Sequence, residues 1–555
     1  MNSPELVNIA SCLGLMAEEQ PEKKAIFFPA SKDRHGKVNY TSYTFRQLNR
    51  ESDFIACGLE KSGIGRGTRT ALMVKPSLDF FALTFAIFKA GAVPVMIDPG
   101  IGIRNLKNCL AQAEPEAFIG IPVAHVARVL LGWGGKTVRT TVTVGKKLFW
   151  GGLTLEQIRK RGKSDVPYEM ADTRGDEMAA ILFTSGGTGP PKGAVYTHAN
   201  FAAQVEMIRK TYNIEPGEID LPTFPLFALF NPALGMTAVI PDMDATRPAH
   251  VEPENIIRPI RKFGITNMFG SPALINRVGR YGSQRGVKLP SLRRVIAAGA
   301  PMPAEALERF CSMLADDAQV FTGYGATEAM PACSIGSREI LAETRYQTDK
   351  GKGVCIGKPV DGMDVSVIKI TDTAVPRWRD DLVAAQGEIG EIAVRGPSVT
   401  GSYYNKETAT RLAKIYDAEG EGFRHRMGDL GFVDELGRLW FCGRKVHKVI
   451  LPTMTLLTIP CEGVFNIHPK VYRTALVGVE LQGATRPVLC VELEKDSRDA
   501  DRKLIKNELL ELGAAQAHTK DIRTILFHKA FPVDIRHNAK IFRDRLAVWA
   551  KKKLE

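Results

Sequence analysis

Near-continuous apolar runs alternate with helical patterns in the first part of the chain. The segment TALMVKP is typical of a buried strand, and SLDFFALTFAIFK predicts a buried helix at about 77–89. A glycine follows that helix, and a short apolar strand then ends at Asp98-Pro99. Strands without polar alternation are typical of parallel sheets covered on both faces, so the pattern predicts an α/β fold. The same alternation recurs in ITNMFGSPALI and LRRVIAAGAPMP.

The pattern changes after about Gly387. The segments GEIGEIAVRGPSVTGSYY and GFVDELGRLWFCGR predict short strands with tight turns, which indicates a small β-rich subdomain at about 351–443. From about residue 445 to 555, short strands such as TALVGVE mix with charged helices, which predicts a compact α+β unit. A chain of 555 residues is too long for one compact core, and the length suggests roughly two to four domains.

Composition and charge narrow the classes of function. Hydrophobic residues make up 44% of the chain and charged residues 24%, which is ordinary for a globular protein. The net charge is +13, but the basic residues are spread out and no nucleic-acid motif accompanies them, so we expect no nucleic-acid partner. Nine widely spaced cysteines without zinc-ligand spacing indicate reduced thiols in a cytoplasmic protein. We expect neither a secretory signal nor a transmembrane segment.

One segment, VARVLLGWGGKTVRTTVTVGKKLFWGG (126–152), interleaves apolar residues with tryptophans and lysines. It has two interpretations. The first is a surface that contacts a membrane or a hydrophobic substrate. The second, which we favour, is a hairpin with one packed face.

A glycine-rich loop, TSGGTGPPKG (184–193), follows the apolar strand AAILF. Its backbone N–H groups in tight turns, its hydroxyl donors and its lysine together suit a triphosphate. It is not the usual P-loop, because the one GKT in the chain (135–137) has Leu130 where that motif requires glycine. The candidate phosphate-binding residues are Thr184, Ser185, Gly186, Gly187, Thr188, Gly189 and Lys192.

Further motifs occur in a fixed order over most of the chain. KPSLDFFALTFAIFKAGAVPVMIDP precedes the glycine-rich loop, and GYGATE (323–328), GEIGEIAVRGP, MGDLG (427–431), GR (443–444) and Lys540 follow it. Together they resemble the AMP-forming adenylating superfamily of acyl-CoA ligases, luciferases and nonribosomal adenylation domains. The resemblance implies that a carboxylate and ATP form acyl-AMP and pyrophosphate. It also implies an N-terminal adenylating domain (1–443), a hinge (444–447) and a mobile C-terminal lid domain (448–555).

The resemblance also implies a role for each motif residue. Glu328 would bind Mg²⁺, which prefers oxygen ligands, and Lys540 would act where negative charge shifts between the carboxylate and the α-phosphate. Tyr324 would stack on adenine, Asp429 would bind both ribose hydroxyls, and Arg444 would hold the ribose and α-phosphate region. The implied catalytic residues are Lys540, Glu328 and Thr184. The other implied ATP-binding residues are Gly299, Ala300, Pro301, Gly323, Gly325, Ala326 and Thr327.

Four departures from the superfamily pattern distinguish this chain. Gly187 replaces a Ser or Thr of the phosphate loop, Ala228 replaces a histidine found in many acyl-CoA ligases, and Met427 replaces the threonine of TGD. After Arg444 there is no glycine until Gly463, although ligases usually have a glycine pair there that lines the tunnel for the thiol. Side chains would narrow such a tunnel, which argues against the pantetheine arm of CoA.

These departures, with PDMDATRPAHVEPENI, HRMGDLG, RLWFCGRK, TIPCE and RHNAKIFRDRLAVWA, resemble the olefin β-lactone synthetases. The resemblance implies that the acyl-AMP of a 3-hydroxy fatty acid is attacked by its own 3-hydroxyl, a tethered neighbour of high effective molarity. AMP then leaves and a β-lactone forms. Association with other olefin-pathway enzymes is implied as well, and the 126–152 segment leaves peripheral membrane contact open.

Two alternatives stay open. A medium- or long-chain fatty acyl-CoA ligase would use CoA as a second substrate. A non-catalytic nucleotide- or acyl-binding protein could share the fold, although the presence of Lys540, Glu328 and Asp429 counts against it. In either enzyme a long acyl chain needs an apolar slot. The candidate acyl-pocket residues are Phe230, Met236, Phe269, Pro272, Ala273 and Leu274.

Overall fold

The computed structural model describes residues 7–183, 189–418, 420, 422–497, 499–534 and 540–555. The first part of the chain contains eight strands and six helices within these residues. In chain order they are α1 (Ser11–Glu19), β1 (Lys24–Lys32), β2 (Val38–Thr44), α2 (Phe45–Glu60), β3 (Arg69–Met73), α3 (Leu78–Lys89), β4 (Val93–Met96), α4 (Ile103–Ala113), β5 (Ala117–Gly120), α5 (Pro122–Leu131), β6 (Thr140–Thr143), β7 (Leu153–Thr154), α6 (Leu155–Gly162) and β8 (Met178–Phe183).

A seven-stranded sheet is built from this part together with β9 (Gly193–Thr197). Its order is β7-β6-β5-β3-β4-β8-β9, and every pair is parallel except β8 with β9. The predicted buried helix is confirmed as α3, which begins after Ser77, whose side chain accepts a hydrogen bond from the N–H of Phe80 at 3.1 Å. The helices α2, α3 and α6 pack on one face of this sheet.

The middle of the chain continues with helices and strands of a second, larger sheet. In chain order they are α7 (His198–Tyr212), β10 (Ile219–Pro222), β11 (Thr237–Val239), α8 (Glu254–Phe263), β12 (Asn267–Gly270), α9 (Pro272–Gln284), β13 (Arg294–Ala298), α10 (Ala304–Cys311), β14 (Gln319–Ala326), β15 (Ala329–Gly336), α11 (Ser337–Glu339), α12 (Arg345–Asp349), β16 (Val354–Pro359), β17 (Asp364–Ile368), β18 (Gly390–Arg395), α13 (Glu407–Ala413), β19 (Lys414–Tyr416), β20 (Phe423–Val433) and β21 (Leu439–Arg444).

This larger sheet has 14 strands, and its main path runs β17-β18-β20-β21-β16-β15-β14-β13-β12-β10-β11-β1-β2. The strands from β14 to β1 along this path are parallel, while those from β15 to β17 are antiparallel. The parallel and antiparallel parts belong to one continuous sheet, and the antiparallel strands begin at β15, before the predicted change of pattern after Gly387. Parallel strands that alternate with helices confirm the predicted α/β fold class.

The last 111 residues form a unit of their own, as the sequence predicts. A two-stranded hairpin and a three-stranded sheet, ordered β24-β25-β26, pack against three helices. The elements are β22 (Val449–Ile450), β23 (Thr455–Leu456), α14 (Thr458–Asn466), β24 (Val471–Leu481), β25 (Ala484–Leu493), α15 (Arg502–Ala514), β26 (Thr524–Phe527) and α16 (Arg543–Leu554). Among the described residues, every helix is too short or too polar to cross a lipid bilayer.

The hairpin predicted within 126–152 is wrong. The apolar run at its start belongs to α5, which begins with Pro122 at its first turn and ends at Gly132 in the left-handed conformation. The next strand, β6, pairs in parallel with β5 and with β7. The apolar run continues a helix whose starting signal, Pro122, lies just outside 126–152, so this segment alone does not distinguish a helix from a strand.

Candidate active site

A carboxylate on β20, a guanidinium at the end of β21 and a phenol on β14 meet in space, although β15 and β16 separate β14 from β21 in the sheet. The register between β20 and β21 places Asp429 opposite Arg444. The hydroxyl of Tyr324 donates to Oδ2 of Asp429 at 2.7 Å, and Nε of Arg444 lies 3.1 Å from Oδ1. Arg444 also donates through Nη1 to the carbonyl of Met427 at 3.1 Å. Three residues that are far apart in sequence therefore form one polar cluster.

One oxygen of this carboxylate is ion-paired but accepts no hydrogen bond of good geometry from any described residue. Asp429 is only 4% exposed, and burial raises its pKa although Arg444 and the hydroxyl of Tyr324 oppose the shift. Within the described part of the chain, Oδ1 of Asp429 accepts no hydrogen bond. A buried acceptor of this kind requires a donor, and a ribose hydroxyl is a suitable one. The cluster thus fits the sugar of a nucleotide.

The carboxylate of Glu328 is held by a second tyrosine. The hydroxyl of Tyr403 donates to its Oε1 at 2.6 Å, and the carbonyl of Glu328 accepts from the N–H of Thr400 at 2.9 Å. The ammonium of Lys192 lies 5.1 Å from the centre of the Tyr403 ring. Tyr403 therefore joins the lysine of the glycine-rich loop to the predicted metal ligand.

The surroundings of Glu328 fit Mg²⁺ bound mainly by phosphates and water. Across the described ranges, no group of three or more His, Cys, Asp or Glu side chains could hold a metal ion. Mg²⁺ commonly keeps several waters and takes one or two carboxylates plus substrate phosphates, so a single protein carboxylate suffices. The buried Lys414 lies nearby, and burial lowers its pKa to about 7 although Glu328 opposes the shift.

Lys540 of the C-terminal unit lies on the wall of a cavity in the N-terminal part. Its carbonyl accepts from the N–H of Asp534 at 2.9 Å, and its charge is among those that oppose the raised pKa of Asp429. Tyr324 and Thr327 line the same cavity. The C-terminal lysine and the nucleotide-type cluster therefore share one cleft.

The cavity has a volume of about 240 Å³ and is lined largely by aromatic and aliphatic side chains. Of the predicted residues, its wall includes Gly299, Gly323, Tyr324, Gly325, Ala326, Thr327, Phe230, Met236, Phe269 and Lys540. Several lining residues were not predicted, and the aromatic spacing in FPLFALFNP (224–232) could have indicated only those within it. The missed residues include Ile208, Tyr212, Asp220, Phe224, Phe227, Asn231 and Asn267.

Three residues predicted to line the acyl slot, Pro272, Ala273 and Leu274, lie outside the described wall of this cavity. They form the first turn of α9. Leu274 is fully buried in the hydrophobic core beside Ile275. The preceding Ser271 lines the cavity instead, because the chain turns into the helix there.

Some predicted ATP-binding residues are placed elsewhere or are not described. Ala300 and Pro301 follow the end of β13 and are absent from the described lining, whereas Gly299 belongs to it. Gly189 is exposed and precedes β9, close in sequence to Lys192. The remaining loop residues, Thr184, Ser185, Gly186, Gly187 and Thr188, lie outside the described residues.

A family comparison decides the class of protein. Residues 16–404 match the profile of the family described as AMP-binding enzyme, which is more than half of the chain.

The chain belongs to the AMP-binding enzyme family.

Relatives of this AMP-binding enzyme confirm the resemblance in more detail. The olefin beta-lactone synthetase of Xanthomonas campestris pv. campestris is 48% identical over 549 residues, which cover 98% of each chain. That of Stenotrophomonas maltophilia is 48% identical over 560 residues and covers 100% of each chain. The long-chain-fatty-acid–CoA ligase of Salmonella typhimurium is more distant, at 26% over 497 residues and 83% of each chain.

Solved structures share the fold of this AMP-binding enzyme at low sequence identity. The amide bond synthetase McbA from Marinactinospora thermotolerans has a TM-score of 0.78 at 20% identity and covers 98% of this chain and 99% of its own. ATP-bound MatB from Rhodopseudomonas palustris has a TM-score of 0.77 at 20% identity, with 99% and 100% covered. The likeness extends over both the N-terminal part and the C-terminal unit.

The deep end of the cavity in this AMP-binding enzyme is polar. Asn231 and Asn267 donate through Nδ2 to Oδ2 and Oδ1 of Asp220 at 3.1 and 2.6 Å. Strand register places Asp220 and Asn267 in one row with Arg294, while Ala298 pairs with Gly323. Along β13 this row lies four residues, or roughly 13 Å, from the pair of Ala298 and Gly323, which is next to Tyr324. The aromatic slot therefore ends on a hydrogen-bonded floor.

The buried carboxyl group of Asp220 at this polar end of the cavity predicts that the free energy of unfolding depends on pH. Burial raises the pKa of Asp220 to about 6, although both asparagines oppose the shift. The folded-state pKa lies above the unfolded value, so stability is lost as pH rises from about 4 through about 6. We expect Asp220→Asn to raise the free energy of unfolding near neutral pH by on the order of 2–3 kcal/mol. A flip of the Asn267 amide would let its Oδ1, which has no described partner, accept from the new amide.

Denaturant unfolding from about pH 4 to about pH 7 measures this effect. The exposed Asp176→Asn serves as the control and should follow the unsubstituted protein at every pH. Parallel profiles for the unsubstituted protein and Asp220→Asn would contradict the assignment of the shift to Asp220.

Proposed function

We propose that this enzyme uses ATP and Mg²⁺ to activate a 3-hydroxy fatty acid as acyl-AMP and then closes it to a β-lactone, with release of pyrophosphate and AMP. The observation that carries the proposal is the single cavity that joins Lys540, the 323–327 motif and the aromatic slot. The 48% identity to two olefin beta-lactone synthetases supports the lactone as the product.

The nucleotide would be bound at the polar cluster. Asp429 would accept from the ribose hydroxyls, Arg444 would lie between the ribose and the α-phosphate, and the ring of Tyr324 would contact adenine. The glycine-rich loop with Lys192 would hold the phosphates through backbone N–H groups and positive charge. Mg²⁺, bound at Glu328, would offset phosphate charge when present.

The fatty acid would enter the aromatic slot with its carboxylate toward Lys540. In the first step a carboxylate oxygen attacks the α-phosphorus and forms a new O–P bond. Pyrophosphate leaves with the electrons of the broken P–O bond. Lys540 would stabilise the charge that shifts between the carboxylate and the α-phosphate. Thr184 of the glycine-rich loop is proposed to take part as a hydroxyl donor.

The second step is ring closure within the acyl-AMP. The 3-hydroxyl oxygen attacks the acyl carbon, AMP leaves with the electrons of the broken C–O bond, and the hydroxyl proton is released. Because nucleophile and electrophile belong to one bound molecule, no second substrate has to be positioned. Ring strain opposes closure, and loss of AMP offsets it.

The segment after Arg444 supports a reaction without CoA. It forms the hairpin β22–β23, and Leu451 and Met454 pack against the core of the C-terminal unit. We propose that this hairpin narrows the route by which a thiol would reach the acyl-AMP. The proposed hinge at 444–447 contains Lys445, whose Nζ donates to Oε2 of Glu391 at 3.0 Å and thereby contacts the N-terminal part.

The domain division at the hinge, a cytoplasmic location and association with enzymes that supply the acid or consume the lactone belong to the same proposal. A fatty acyl-CoA ligase is the second candidate function. The observation in its favour is the 26% identity to the Salmonella ligase over 83% of the chain.

Product analysis without CoA tests the proposed reaction. We expect a racemic 3-hydroxy fatty acid, ATP and Mg²⁺ to yield AMP and a product with the mass of the β-lactone. Added CoA should change neither the rate nor the product. A fatty acid without the 3-hydroxyl is the matched control and should support exchange of labelled pyrophosphate into ATP but no lactone. A CoA-dependent thioester would replace the lactone proposal, and absence of exchange with every fatty acid would favour a binding protein.

A further inference from the structure

The helix α5 presents most of its large apolar residues to solvent, while His125, Arg128 and two small alanines face the interior. His125 is fully buried, and its Nε2 lies 3.0 Å from the carbonyl of Val142. The guanidinium of Arg128 points inward and lies 5.8 Å from the centre of a buried phenylalanine ring. Val123 and Leu130, in contrast, are 66% and 76% exposed. A surface helix ordinarily has the opposite arrangement, so α5 has an apolar outer side without a described partner.

The loop at 145–152 adjoins α5 and enlarges its apolar side. The ring of Trp150 stacks on that of His125 with centroids 5.3 Å apart and an interplanar angle of 5°. Its Nε1 donates to Oγ1 of Thr143 at 2.9 Å, which anchors the loop. The neighbouring Phe149 is nevertheless 74% exposed. The exposed residues of helix and loop together form an outer apolar face, which consists of Val123, Val129, Leu130, Leu131, Leu148 and Phe149.

The charged residues of the segment that carries the outer apolar face have one sign. From residue 117 to residue 155 the sequence contains five cationic residues and no Asp or Glu. Of these, Lys136, Arg139 and Lys146 are exposed. Lysines beside aliphatic side chains suit anionic lipid headgroups. Protein interfaces, in contrast, are depleted in lysine and enriched in tyrosine, tryptophan and arginine.

We propose that the outer apolar face binds the surface of a bilayer that contains anionic lipid. The helix α5 would lie parallel to the bilayer, and Val123, Leu130 and Phe149 would enter the boundary between headgroups and acyl chains. Lys136 and Lys146 would remain among the headgroups, because their stems are long enough to keep the ammonium in the polar layer. The contact is peripheral, and it is independent of the reaction proposed above.

Co-sedimentation of the full chain with vesicles tests this surface. We expect binding to phosphatidylcholine vesicles that contain phosphatidylglycerol, and binding to phosphatidylcholine alone weaker by at least about tenfold. The double variant Leu130→Gln, Phe149→Ser should lower the partition coefficient by at least about tenfold, because it removes two large apolar side chains. Leu436→Gln is the matched control. This leucine is 58% exposed in the turn between β20 and β21, and its loss should leave binding unchanged.

Melting temperatures of the variants show whether the fold is intact. If the double variant melts at a lower temperature than the wild-type protein, the single variant Phe149→Ser is used in its place. Wild-type protein that binds neither kind of vesicle would overturn the inference. Equal binding with and without phosphatidylglycerol would overturn the assignment to anionic lipid. A wild-type dimer that binds no vesicles and that the double variant dissociates, seen by sedimentation velocity, would assign the face to a second copy of the chain instead.

Discussion

Lys540→Ala is expected to lower the exchange of labelled pyrophosphate into ATP by about 10²–10³-fold and to leave AMP binding nearly unchanged. The lysine lies on the cavity wall with Tyr324 and Thr327, where it would meet charge that develops only as the carboxylate attacks the α-phosphate. An interaction made mainly in the transition state affects the rate more than it affects ground-state binding. Exchange assays with a fatty acid, together with equilibrium binding of AMP, measure the two effects separately.

The control for this substitution is another lysine of the same unit. Lys552 is exposed near the end of α16, and Lys552→Ala should change neither exchange nor AMP binding. If Lys540→Ala weakened AMP binding as much as it slowed exchange, the lysine would be a binding group and the proposed transition-state role would be wrong.

Asp429→Ala is expected to weaken AMP binding by roughly 10²–10⁴-fold, since two hydrogen bonds from ribose to an ionised acceptor would be lost. The carboxylate is 4% exposed, and its Oδ1 accepts no hydrogen bond from the described residues, so a ribose hydroxyl could donate to it beside the ion pair with Arg444. Titration calorimetry with AMP measures the affinity, and thermal unfolding shows whether the variant folds.

The variant Tyr324→Phe distinguishes the contribution of the Asp429 carboxylate to AMP binding from that of the neighbouring hydroxyl. This change removes only the hydroxyl that donates to Oδ2 of Asp429 and keeps the ring, so we expect a loss of affinity within about tenfold. A folded Asp429→Ala variant with unchanged AMP affinity would show that the ribose is bound elsewhere.

Much of the fold could be predicted from local patterns. The boundaries of α3 follow from an apolar run between the capping residue Ser77 and a glycine stop, signals that lie within the helix or beside it. The change to short strands after Gly387 is a similar local signal. The pairing of β20 with β21 could not be predicted from such local signals, because strand register decides that Asp429 lies opposite Arg444.

Part of the candidate site could not be predicted. Leu274 is apolar and close in sequence to Phe269, but the start of α9 places it in the core while Phe269 lines the slot. Asp220 and Asn267 belong to strands separated by 44 residues, and their hydrogen bond depends on the pairing of β10 with β12. Periodicity within a single element contains no information about such pairings.

The sequence by itself determined the class of fold, the family of the enzyme and the identity of its motif residues, because motif spacing and apolar periodicity are local properties of the chain. The tertiary structure alone decided that Lys540 reaches the same cavity as Tyr324, that the aromatic slot ends on Asp220, and that α5 has its apolar side in water. The physical reason is the same for all three. Each depends on which surfaces pack together across long separations in sequence, and burial, not residue type, decides whether a side chain meets protein, ligand or solvent.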